Sequence, residues 1–324
     1  IRRDDGAVLL ALRPRHVNQG GKWEFPGGKL EPRERARAGL ARELDEELGI
    51  ALEAATPLIT VRHDYPDRRI ELLVFEVRAW RGEPHGREGQ AVEWVAAEDL
   101  ARREFPAANL PILAALRLPR VLMITPDVGA DEGAFLTRLE RCLKAGVELV
   151  QLRITAEGAR RARIARRAIE LAQSHAARLV LNGAPEEALA LGAHGVHLNR
   201  ARLLACAERP LPRELLVSAA CHDAAALEHA ARLEVDCALV SPVAPTGSHP
   251  GAPVLGWRAL RGLTRAARSP VYALGGLRAA DVGRALRAGC QGVALLSGLW
   301  NAAEPGEVVA RATREVAAAA LSAG

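Results

Sequence analysis

A short apolar run, a loop and an amphipathic stretch recur in that order eight times in the second part of this 324-residue chain. The apolar runs are Val121–Thr125, Leu149–Ile154, Arg178–Asn182, Gly195–Leu198, Leu215–Ala220, Cys237–Val243, Val271–Leu274 and Gly292–Leu296. Continuously apolar strands are typical of a parallel sheet with both faces buried, and their alternation with helices indicates βαβ units. Eight such units in succession favour a closed (βα)₈ TIM barrel over the alternative of an open, doubly wound sheet.

The composition of the chain changes near Leu118-Pro119. Three of the five tryptophans, a glutamate-rich segment and closely spaced glycines and prolines precede this point, whereas alanine, leucine, arginine and valine dominate after it. We therefore predict two α/β domains of ordinary size, residues 1–118 and 119–324, joined by a short linker.

Within the first domain, apolar or small residues at helical spacing predict a helix over Glu34–Leu48. The helix should stop at Gly49, because glycine is favoured immediately after a helix C-terminus. An extended segment over Lys22–Gly28 leads into a Gly-Gly turn, and strands are predicted at Ala7–Leu12, Leu58–His63, Arg69–Trp80 and Ala91–Val95.

The charge pattern argues against nucleic acid as a partner. The net charge is +5, the pI is about 9.2, and arginine supplies nearly all of the positive charge, since only three lysines occur. The arginines lie among aliphatic residues along helices, as solvated helix faces do, and aromatic residues make up 3%, too few for base-stacking platforms. Because arginine suits the bidentate binding of phosphates, we expect a small phosphorylated partner and no stable nucleic-acid complex.

The sequence shows neither a membrane segment nor a signal peptide. No apolar run approaches the ~20 residues of a membrane span, so no membrane partner is expected. Five cysteines, all in the predicted second domain, lie far apart without CxxC or metal-site spacing, which is typical of a reducing cytoplasm. The sequence begins at Ile1 without a methionine, so we expect the natural N-terminus to lie upstream.

Three glutamates, Glu43, Glu46 and Glu47, are spaced i, i+3 and i+4 and therefore share one face of the predicted helix. Carboxylates placed in this way repel one another, and a divalent cation removes the repulsion. Ligands that are all hard oxygens suit Mg²⁺, with Mn²⁺ as the alternative, and such ions bridge to substrate phosphates. The Gly27-Gly28 turn allows the backbone to approach a phosphate or metal closely, and Arg42 is placed to orient a carboxylate.

The complete spacing around these glutamates, from Gly28 to Ile50, is G-x₅-E-x₇-R-E-U-x-E-E-x-G-U, where U is aliphatic. A bare ExxEE sequence is more typical of a charged helix face in solvent, but here every fixed position of the longer pattern is filled. The pattern resembles the Nudix box of nucleoside-diphosphate-X hydrolases. This resemblance implies a Nudix α/β/α sandwich with a mixed sheet, and a hydrolase acting on acid anhydrides.

Residues 1 to about 117 also resemble the MutT-type 8-oxo-dGTP diphosphatases. The resemblance lies in Trp23-Glu-Phe-Pro-Gly-Gly-Lys-Leu-Glu31, Tyr65-Pro-Asp-Arg68, Trp80-Arg-Gly-Glu-Pro84, Glu88-Gly-Gln90, Glu93-Trp94 and Phe105-Pro-Ala-Ala-Asn109. It implies metal ligation by Gly27, Glu43, Glu46, Glu47 and Glu88. It implies catalytic roles for Glu43 as the first candidate base, Glu88 as the second, and for Glu47 and Lys29. It implies substrate contacts from Arg13, Glu24, Phe25, Pro26, Gly27, Arg68 and Asn109.

One asparagine amide offers both a donor and an acceptor, so Asn109 is able to pair bidentately with oxidised guanine. Three alternatives stay open: Arg13 as a surface charge, Asn109 as a helix cap, and Phe25 as ordinary core.

The implied reaction is attack of water at phosphorus, with Mg²⁺ neutralising phosphate charge, giving 8-oxo-dGMP and pyrophosphate before DNA replication uses the oxidised nucleotide. The resemblance further implies a first strand that begins about ten residues before Ile1.

Residues from about 120 to 300 resemble the thiamine phosphate synthase and TenI-type barrels. The resemblance lies in an ordered series of motifs: Val150-Gln-Leu-Arg153, Leu181-Asn182, Gly195-Val-His-Leu198, Val217-Ser218 with His222, Ser241-Pro-Val-Ala-Pro-Thr246, Ala273-Leu-Gly-Gly276 and Gly292-Val-Ala-Leu-Leu-Ser-Gly298. Barrels often hold a phosphate on the backbone after strands 7 and 8. The candidates here are Gly275, Gly276, Ser297 and Gly298, with tight turns as the alternative interpretation.

Several positions depart from the synthase pattern. Thr155 stands where the pattern has a lysine, Gly183 stands where it has an aspartate, and the loop that starts at Asn199 lacks a metal-binding aspartate. The lysine expected after the Pro-Thr loop is absent, and Pro242 replaces the histidine of TenI-type tautomerases. A reaction with a diphosphate leaving group loses most of its electrostatic stabilisation without such groups.

We therefore interpret the barrel as a degenerate module that binds a thiamine-precursor phosphate or serves a structural role. Active synthase and tautomerase remain alternatives, and so does a bifunctional hydrolase and synthase. The Nudix domain is interpreted as acting on 8-oxo-dGTP, with a thiamine-pathway pyrophosphate as the alternative substrate, and a homodimer is left open. His197, His222 and His249 are candidate ligands, although a satisfied or solvated histidine is the more ordinary interpretation of each.

Overall fold

The computed structural model describes residues 1–16, 19–65, 67–97, 99–247, 251 and 253–322. The chain divides into two compact units, Ile1–Arg117 together with the residues from Val316 onward, and Leu118–Glu315. Among the described residues, no helix combines the length and the apolar character needed to cross a membrane. All five cysteines are free thiols.

Up to Arg117, the first unit combines antiparallel strands with two α-helices in its described part. Its strands are β1 (Val8–Leu12), β2 (Trp23–Glu24), β3 (Ala51–Asp64), β4 (Arg69–Arg81) and β5 (Val92–Val95), and its helices are α1 (Ala36–Leu48) and α2 (Leu110–Arg117). Strand β1 lies between β2 and β5, and β3 pairs with β4 in a long hairpin. A 3₁₀ turn over Ala107–Asn109 leads directly into α2.

Helix α1 is held by the face opposite to its glutamates. Leu44 and Leu48 are fully buried and pack in one cluster with Leu9, Ile50 and other residues of the strands. The helix ends at Gly49, whose φ of 68° is the left-handed conformation that glycine adopts most readily. Burial of the leucine face therefore leaves the glutamate-bearing face of the helix accessible.

The long hairpin extends further than the sequence predicts. Strand β3 begins at Ala51, seven residues before the predicted start at Leu58, because the segment before Leu58 pairs with the second half of β4 through three register shifts. Alanine and proline are weak strand formers, so cross-strand pairing overrides local propensity here. The predicted extended segment Lys22–Gly28 shrinks to Trp23–Glu24, the two residues that β1 pairs.

The second unit is a closed barrel of parallel strands. Its strands are β6 (Val121–Ile124), β7 (Leu149–Leu152), β8 (Arg178–Asn182), β9 (Gly195–Leu198), β10 (Leu216–Cys221), β11 (Cys237–Val240), β12 (Val271–Leu274) and β13 (Gly292–Leu295). They pair in sequence order, and β13 pairs with β6 through Val293 opposite Val121, which closes the ring. The predicted (βα)₈ barrel and the α/β class are confirmed.

Helices between the strands cover the outside of the barrel. They are α3 (Glu132–Lys144), α4 (Gly158–Ser174), α5 (Pro185–Ala190), α6 (Arg200–Ala205), α7 (Ala224–Arg232), α8 (Gly256–Ala266), α9 (Val282–Arg287), α10 (Ser297–Trp300) and α11 (Pro305–Ser322). Side chains of Asp131, Asn199 and Asp223 accept hydrogen bonds from the first turns of α3, α6 and α7, which satisfies backbone donors that have no partner within a helix.

Candidate active site

A cavity of about 960 Å³ in the first unit is lined by residues from several separate segments. All seven residues predicted to contact substrate line it, and so do Lys29 and Glu43: Arg13, Glu24, Phe25, Pro26, Gly27, Lys29, Glu43, Arg68 and Asn109. Glu46, Glu47 and Glu88 are not part of this lining. The fold thus joins the segment before α2, the hairpin tip and the turn before α1 around one space.

Arg42 is the hydrogen-bonding centre of the α1 surface. Its guanidinium donates to both carboxylate oxygens of Glu34 at 3.0 Å, and its Nη1 donates to Glu43 Oε1 and Glu46 Oε2, each at 3.0 Å. Its Nη2 also donates to the Lys29 carbonyl at 3.0 Å, which ties the turn before α1 to the helix. These bonds lower the pKa of Glu34 and fix the Glu43 carboxylate at the edge of the cavity.

The Gly27-Gly28 turn places the backbone directly against these carboxylates. Gly27 has a φ of 138°, which side chains rarely allow, and its N–H donates to Glu47 Oε2 at 3.0 Å. A Cβ at Gly28 would lie 2.0–2.4 Å from the carboxylate atoms of Glu43. Glycine at 28 therefore leaves room for the Glu43 carboxylate, whereas glycine at 27 suits the backbone conformation of the turn.

Glu47 lies where the negative charges converge. Burial raises its pKa to about 7, the Gly27 hydrogen bond opposes this rise, and the charges of Glu24, Glu43 and Glu88 add to it. Glu88 itself is exposed on the loop between β4 and β5, yet it is near enough to contribute. Burial also raises the pKa of Glu24, although its ion pair with Arg13 opposes the rise.

The predicted metal ligands are close together without forming a ligand set. Within the described ranges, no group of three or more His, Cys, Asp or Glu side chains is arranged to hold a metal. Glu43 and Glu46 are bonded to Arg42, and Glu47 accepts the Gly27 amide instead. The donors nevertheless fit a hard divalent cation, because they are oxygen atoms only and their mutual repulsion raises the Glu47 pKa. The ligand assignment stays a prediction.

At the other end of the cavity, Asn109 is 9% exposed and ends the 3₁₀ turn before α2. Asn109 is one of the residues that line the cavity. Phe25 stacks on Phe105 with ring centroids 5.6 Å apart and packs against a cluster of buried residues, so its ring belongs to the core. Arg68 lies over the Tyr65 ring, 5.6 Å from its centroid.

The barrel residues predicted to bind phosphate occupy two tight turns. Gly275 and Gly276 have φ values of 101° and 67°, and a Cβ on Gly276 would lie 2.3 Å from the Pro245 carbonyl oxygen. Gly298, at the start of α10, lies near Leu277, since its Cβ would be 3.2 Å from the Leu277 carbonyl oxygen, and Ser297 precedes it. The two segments lie near each other, and close backbone packing alone accounts for the glycines. Phosphate binding at these residues stays a prediction.

The candidate histidines of the barrel have structural partners. His197 is 4% exposed, its Nδ1 lies 3.0 Å from Ser218 Oγ, and burial together with the charge of Arg153 lowers its pKa to about 3. His222 Nδ1 lies 2.8 Å from the Ser241 carbonyl oxygen. His249 lies outside the described residues. For His197 the ordinary interpretation, a satisfied buried histidine, is the one that the structure favours.

Three contacts were not predicted from the sequence. Thr155 donates its N–H to Asp127 Oδ1 at 2.7 Å and its hydroxyl to the other oxygen of the same carboxylate. Arg161 pairs with Glu187, and a Cβ at Gly183 would lie 2.8 Å from both of these side chains. Gln90 bonds to the end of α1. Of these residues, only Gln90 belongs to a sequence motif used above, the Glu88-Gly-Gln90 stretch that resembles the MutT-type enzymes.

A helix that carries glutamates beside a cavity, followed along the chain by a closed parallel barrel, defines an α/β protein with two folded units. Residues 1–115 match the family model described as the NUDIX domain, and residues 121–299 match the model described as thiamine monophosphate synthase. The chain therefore belongs to the Nudix family through its first unit and to the thiamine monophosphate synthase family through its second. It is an enzyme, a hydrolase of acid anhydrides.

Three relatives illustrate the two similarities. An 8-oxo-dGTP diphosphatase of Escherichia coli (strain K12) is 37% identical over 36% of this chain and 91% of its own length. A CTP pyrophosphohydrolase of the same organism is 38% identical over 34% of this chain and 82% of its own length. A thiamine-phosphate synthase of Thioalkalivibrio sulfidiphilus (strain HL-EbGR7) is 33% identical over 58% of this chain and 91% of its own length. Nudix hydrolases generally use divalent metal ions.

Proposed function

We propose that the first unit hydrolyses 8-oxo-dGTP to 8-oxo-dGMP and pyrophosphate with Mg²⁺, and so keeps oxidised guanine out of DNA replication in the cytoplasm. One observation carries the proposal: a single cavity contains both the Asn109 amide and the Glu43 carboxylate of the box helix. The 8-oxo-dGTP diphosphatase among the relatives supports the choice of base.

The base end of the cavity selects by hydrogen bonding. The side-chain amide of Asn109 has an NH₂ group that donates and a carbonyl oxygen that accepts, and the residue is 9% exposed. A base that leaves these groups unpaired loses the free energy of desolvating them, so the site discriminates against it. Phe25 supplies neighbouring backbone, and Arg68 lies at the hairpin tip on the same cavity.

The phosphate end uses charge. Arg13 and Lys29 line the cavity and would stabilise negative charge on the phosphates. When bound, Mg²⁺ would be held by Glu43, Glu46, Glu47, Glu88 and the Gly27 carbonyl, and it would neutralise phosphate charge. Glu43, oriented by Arg42, would take the proton of the attacking water as the bond in the α–β bridge breaks and pyrophosphate leaves.

The test compares kcat/KM for 8-oxo-dGTP, dGTP, CTP and hydroxymethylpyrimidine pyrophosphate with Mg²⁺ on the full chain. We expect a strong preference for 8-oxo-dGTP, and Asn109→Leu should reduce kcat/KM for 8-oxo-dGTP about 10- to 100-fold, the worth of one or two hydrogen bonds in a buried site. Asn301→Leu, at an exposed position in the barrel unit, is the matched control and should leave it unchanged. Preference for CTP or for the pyrimidine pyrophosphate would overturn the proposed substrate.

For the second unit we propose binding of a thiamine-precursor phosphate without turnover. Two positions where synthases are expected to place reactive groups are closed by internal bonds: Thr155 is bonded to Asp127, and Gly183 lies under the Arg161–Glu187 pair. These residues do not fit a metal-dependent transfer of diphosphate. Calorimetry with hydroxyethylthiazole phosphate should detect binding to the full chain, and a synthase assay should detect no product. Formation of thiamine phosphate would refute this assignment.

A further inference from the structure

The C-terminal end of α1 is bonded to the loop that carries Glu88. The last carbonyl groups of a helix have no partner within the helix. Here the Leu48 carbonyl accepts from the His85 N–H at 3.2 Å, and the Glu47 carbonyl accepts from the Arg87 N–H at 2.9 Å. Arg87 Nη1 also donates to the Asp45 carbonyl at 2.8 Å, a favourable place for a cation at the negative end of a helix.

Gln90 adds a bridge made by one side chain. Its Nε2 donates to the Glu47 carbonyl at 3.1 Å, and its Oε1 accepts from the Glu88 N–H at 2.9 Å. The same amide therefore touches the backbone of Glu47 and the backbone of Glu88. Gly86 allows this loop to close, because a Cβ there would lie 1.9 Å from the Gln90 carbonyl oxygen and 3.0 Å from Oε1.

The bridge acts against electrostatic repulsion. Glu47 and Glu88 carry like charges on the two segments that the Gln90 amide joins, and like charges repel one another. Glu88 is exposed, and a loop without anchors would relieve the repulsion by moving away. A glutamine amide holds the loop through both of its ends without adding a negative charge to the cluster or a cation that would compete with a metal ion.

We propose that Gln90 is a positioning residue that fixes Glu88 relative to Glu47 and thereby sets the affinity of the site for a divalent cation. This inference rests on the proposed function, since it takes both carboxylates as belonging to one cation site. The Gln90 hydrogen bonds order the loop without the cation, so cation binding does not have to provide the entropic cost of ordering the loop. Loss of the bridge should therefore weaken cation binding more than it impairs the reaction of the fully loaded enzyme.

The test is a titration of the full chain with Mn²⁺ in the absence of substrate, with free Mn²⁺ followed by electron paramagnetic resonance. Gln90→Met keeps the length of the side chain and removes both hydrogen bonds, and we expect it to weaken Mn²⁺ binding about tenfold. Gln90→Asn is one methylene shorter, reaches one partner at most, and should fall between. Gln173→Met, at an exposed position on α4, is the matched control and should bind as the unaltered chain does.

Hydrolysis supplies the second readout. For Gln90→Met, half-saturating Mg²⁺ should rise by a similar factor, while kcat at saturating Mg²⁺ and KM for the nucleotide stay within about threefold of the unaltered chain. Mn²⁺ affinities of Gln90→Met and the unaltered chain within twofold of each other would overturn the inference, and Gln90→Asn decides in the same way if Gln90→Met does not fold. If the unaltered chain binds Mn²⁺ but hydrolyses none of the nucleotides, the proposed function fails while the Mn²⁺ comparison still judges Gln90.

Discussion

Adding one methyl group at Gly28 should displace Glu43 with little effect on the fold. A Cβ at this position would lie 2.0 Å from Glu43 Oε2, whereas ordinary contacts begin at 3.4 Å, so the carboxylate would have to retreat by about 1.4 Å. The obstructing atoms are the far end of a flexible side chain, and the φ of Gly28 lies outside the left-handed region, so the backbone accepts alanine. Gly28→Ala should therefore be close to neutral in stability.

The cost should appear in the reaction. A misplacement of ~1 Å in a catalytic group is able to reduce the rate about 100-fold, so we expect kcat of Gly28→Ala to fall by about that factor. The assay is release of pyrophosphate from 8-oxo-dGTP at saturating Mg²⁺, together with thermal unfolding of the full chain. Gly133→Ala in α3 is the matched control, because its Cβ would have 3.4 Å to the nearest atom.

The two measurements separate the possible failures. An alanine variant with an unchanged melting temperature and an unchanged kcat would refute the view that Glu43 acts from its place against Gly28. A variant that loses both stability and activity would instead show that the turn cannot move and that the Glu43 side chain does not simply rotate away. Only the combination of retained stability and reduced kcat agrees with the geometry.

Two further predictions concern the barrel. The folded pKa of His197, about 3, lies below the value of about 6.5 expected for the unfolded chain, so protonation favours unfolding as the pH falls below 6.5. Relative to His197→Gln, the unaltered chain should lose up to ~1.4 kcal/mol of unfolding free energy per pH unit between pH 6 and 4. Urea titrations in which the two proteins show the same dependence of unfolding free energy on pH would contradict this. Arg161→Met should destabilise the chain by about 2 kcal/mol in the same assay at pH 7, because it leaves Glu187 and two backbone carbonyls without the hydrogen bonds that Arg161 donates. The exposed control Arg166→Met should change the unfolding free energy by less than ~0.5 kcal/mol.

Periodic features of the sequence predicted most of the fold. The bounds of β8, β9 and β12 agree with the predicted apolar runs, and α1 ends at Leu48 before Gly49, as predicted. These elements follow local rules, since a short apolar run between turn residues has few alternatives. Helices α5 and α6 span six residues each, too few to show helical periodicity, and the first half of β3 depends on its partner strand.

The sequence predicted those parts of the site that consist of side chains at motif positions. It did not predict the hydrogen bonds between distant segments that hold those side chains. The Nudix pattern indicated Glu43, Glu46 and Glu47 because their spacing sets one helix face. It also placed Arg42 beside the cluster, and Arg42 is bonded to Glu43 and Glu46 within the same helix. It did not indicate that Gln90 bonds to the carbonyl of Glu47, because that contact depends on the path of a distant loop. No local pattern encodes a hydrogen bond between residues 43 positions apart.

The two units differ in how their fold relates to their chemistry. In the first, Glu43 of the motif lines the cavity, and glycine at 28 leaves room for its carboxylate. In the second, the barrel closes fully, yet the guanidinium of Arg161 covers Gly183 and Asp127 is engaged by Thr155. A barrel needs its apolar strands to fold, whereas catalysis needs polar groups that are free to bind substrate. The second unit retains the apolar strands that folding requires, whereas Thr155 is bonded to Asp127 and Arg161 is paired with Glu187. Hydrolysis is assigned to the first unit, which matches the NUDIX domain.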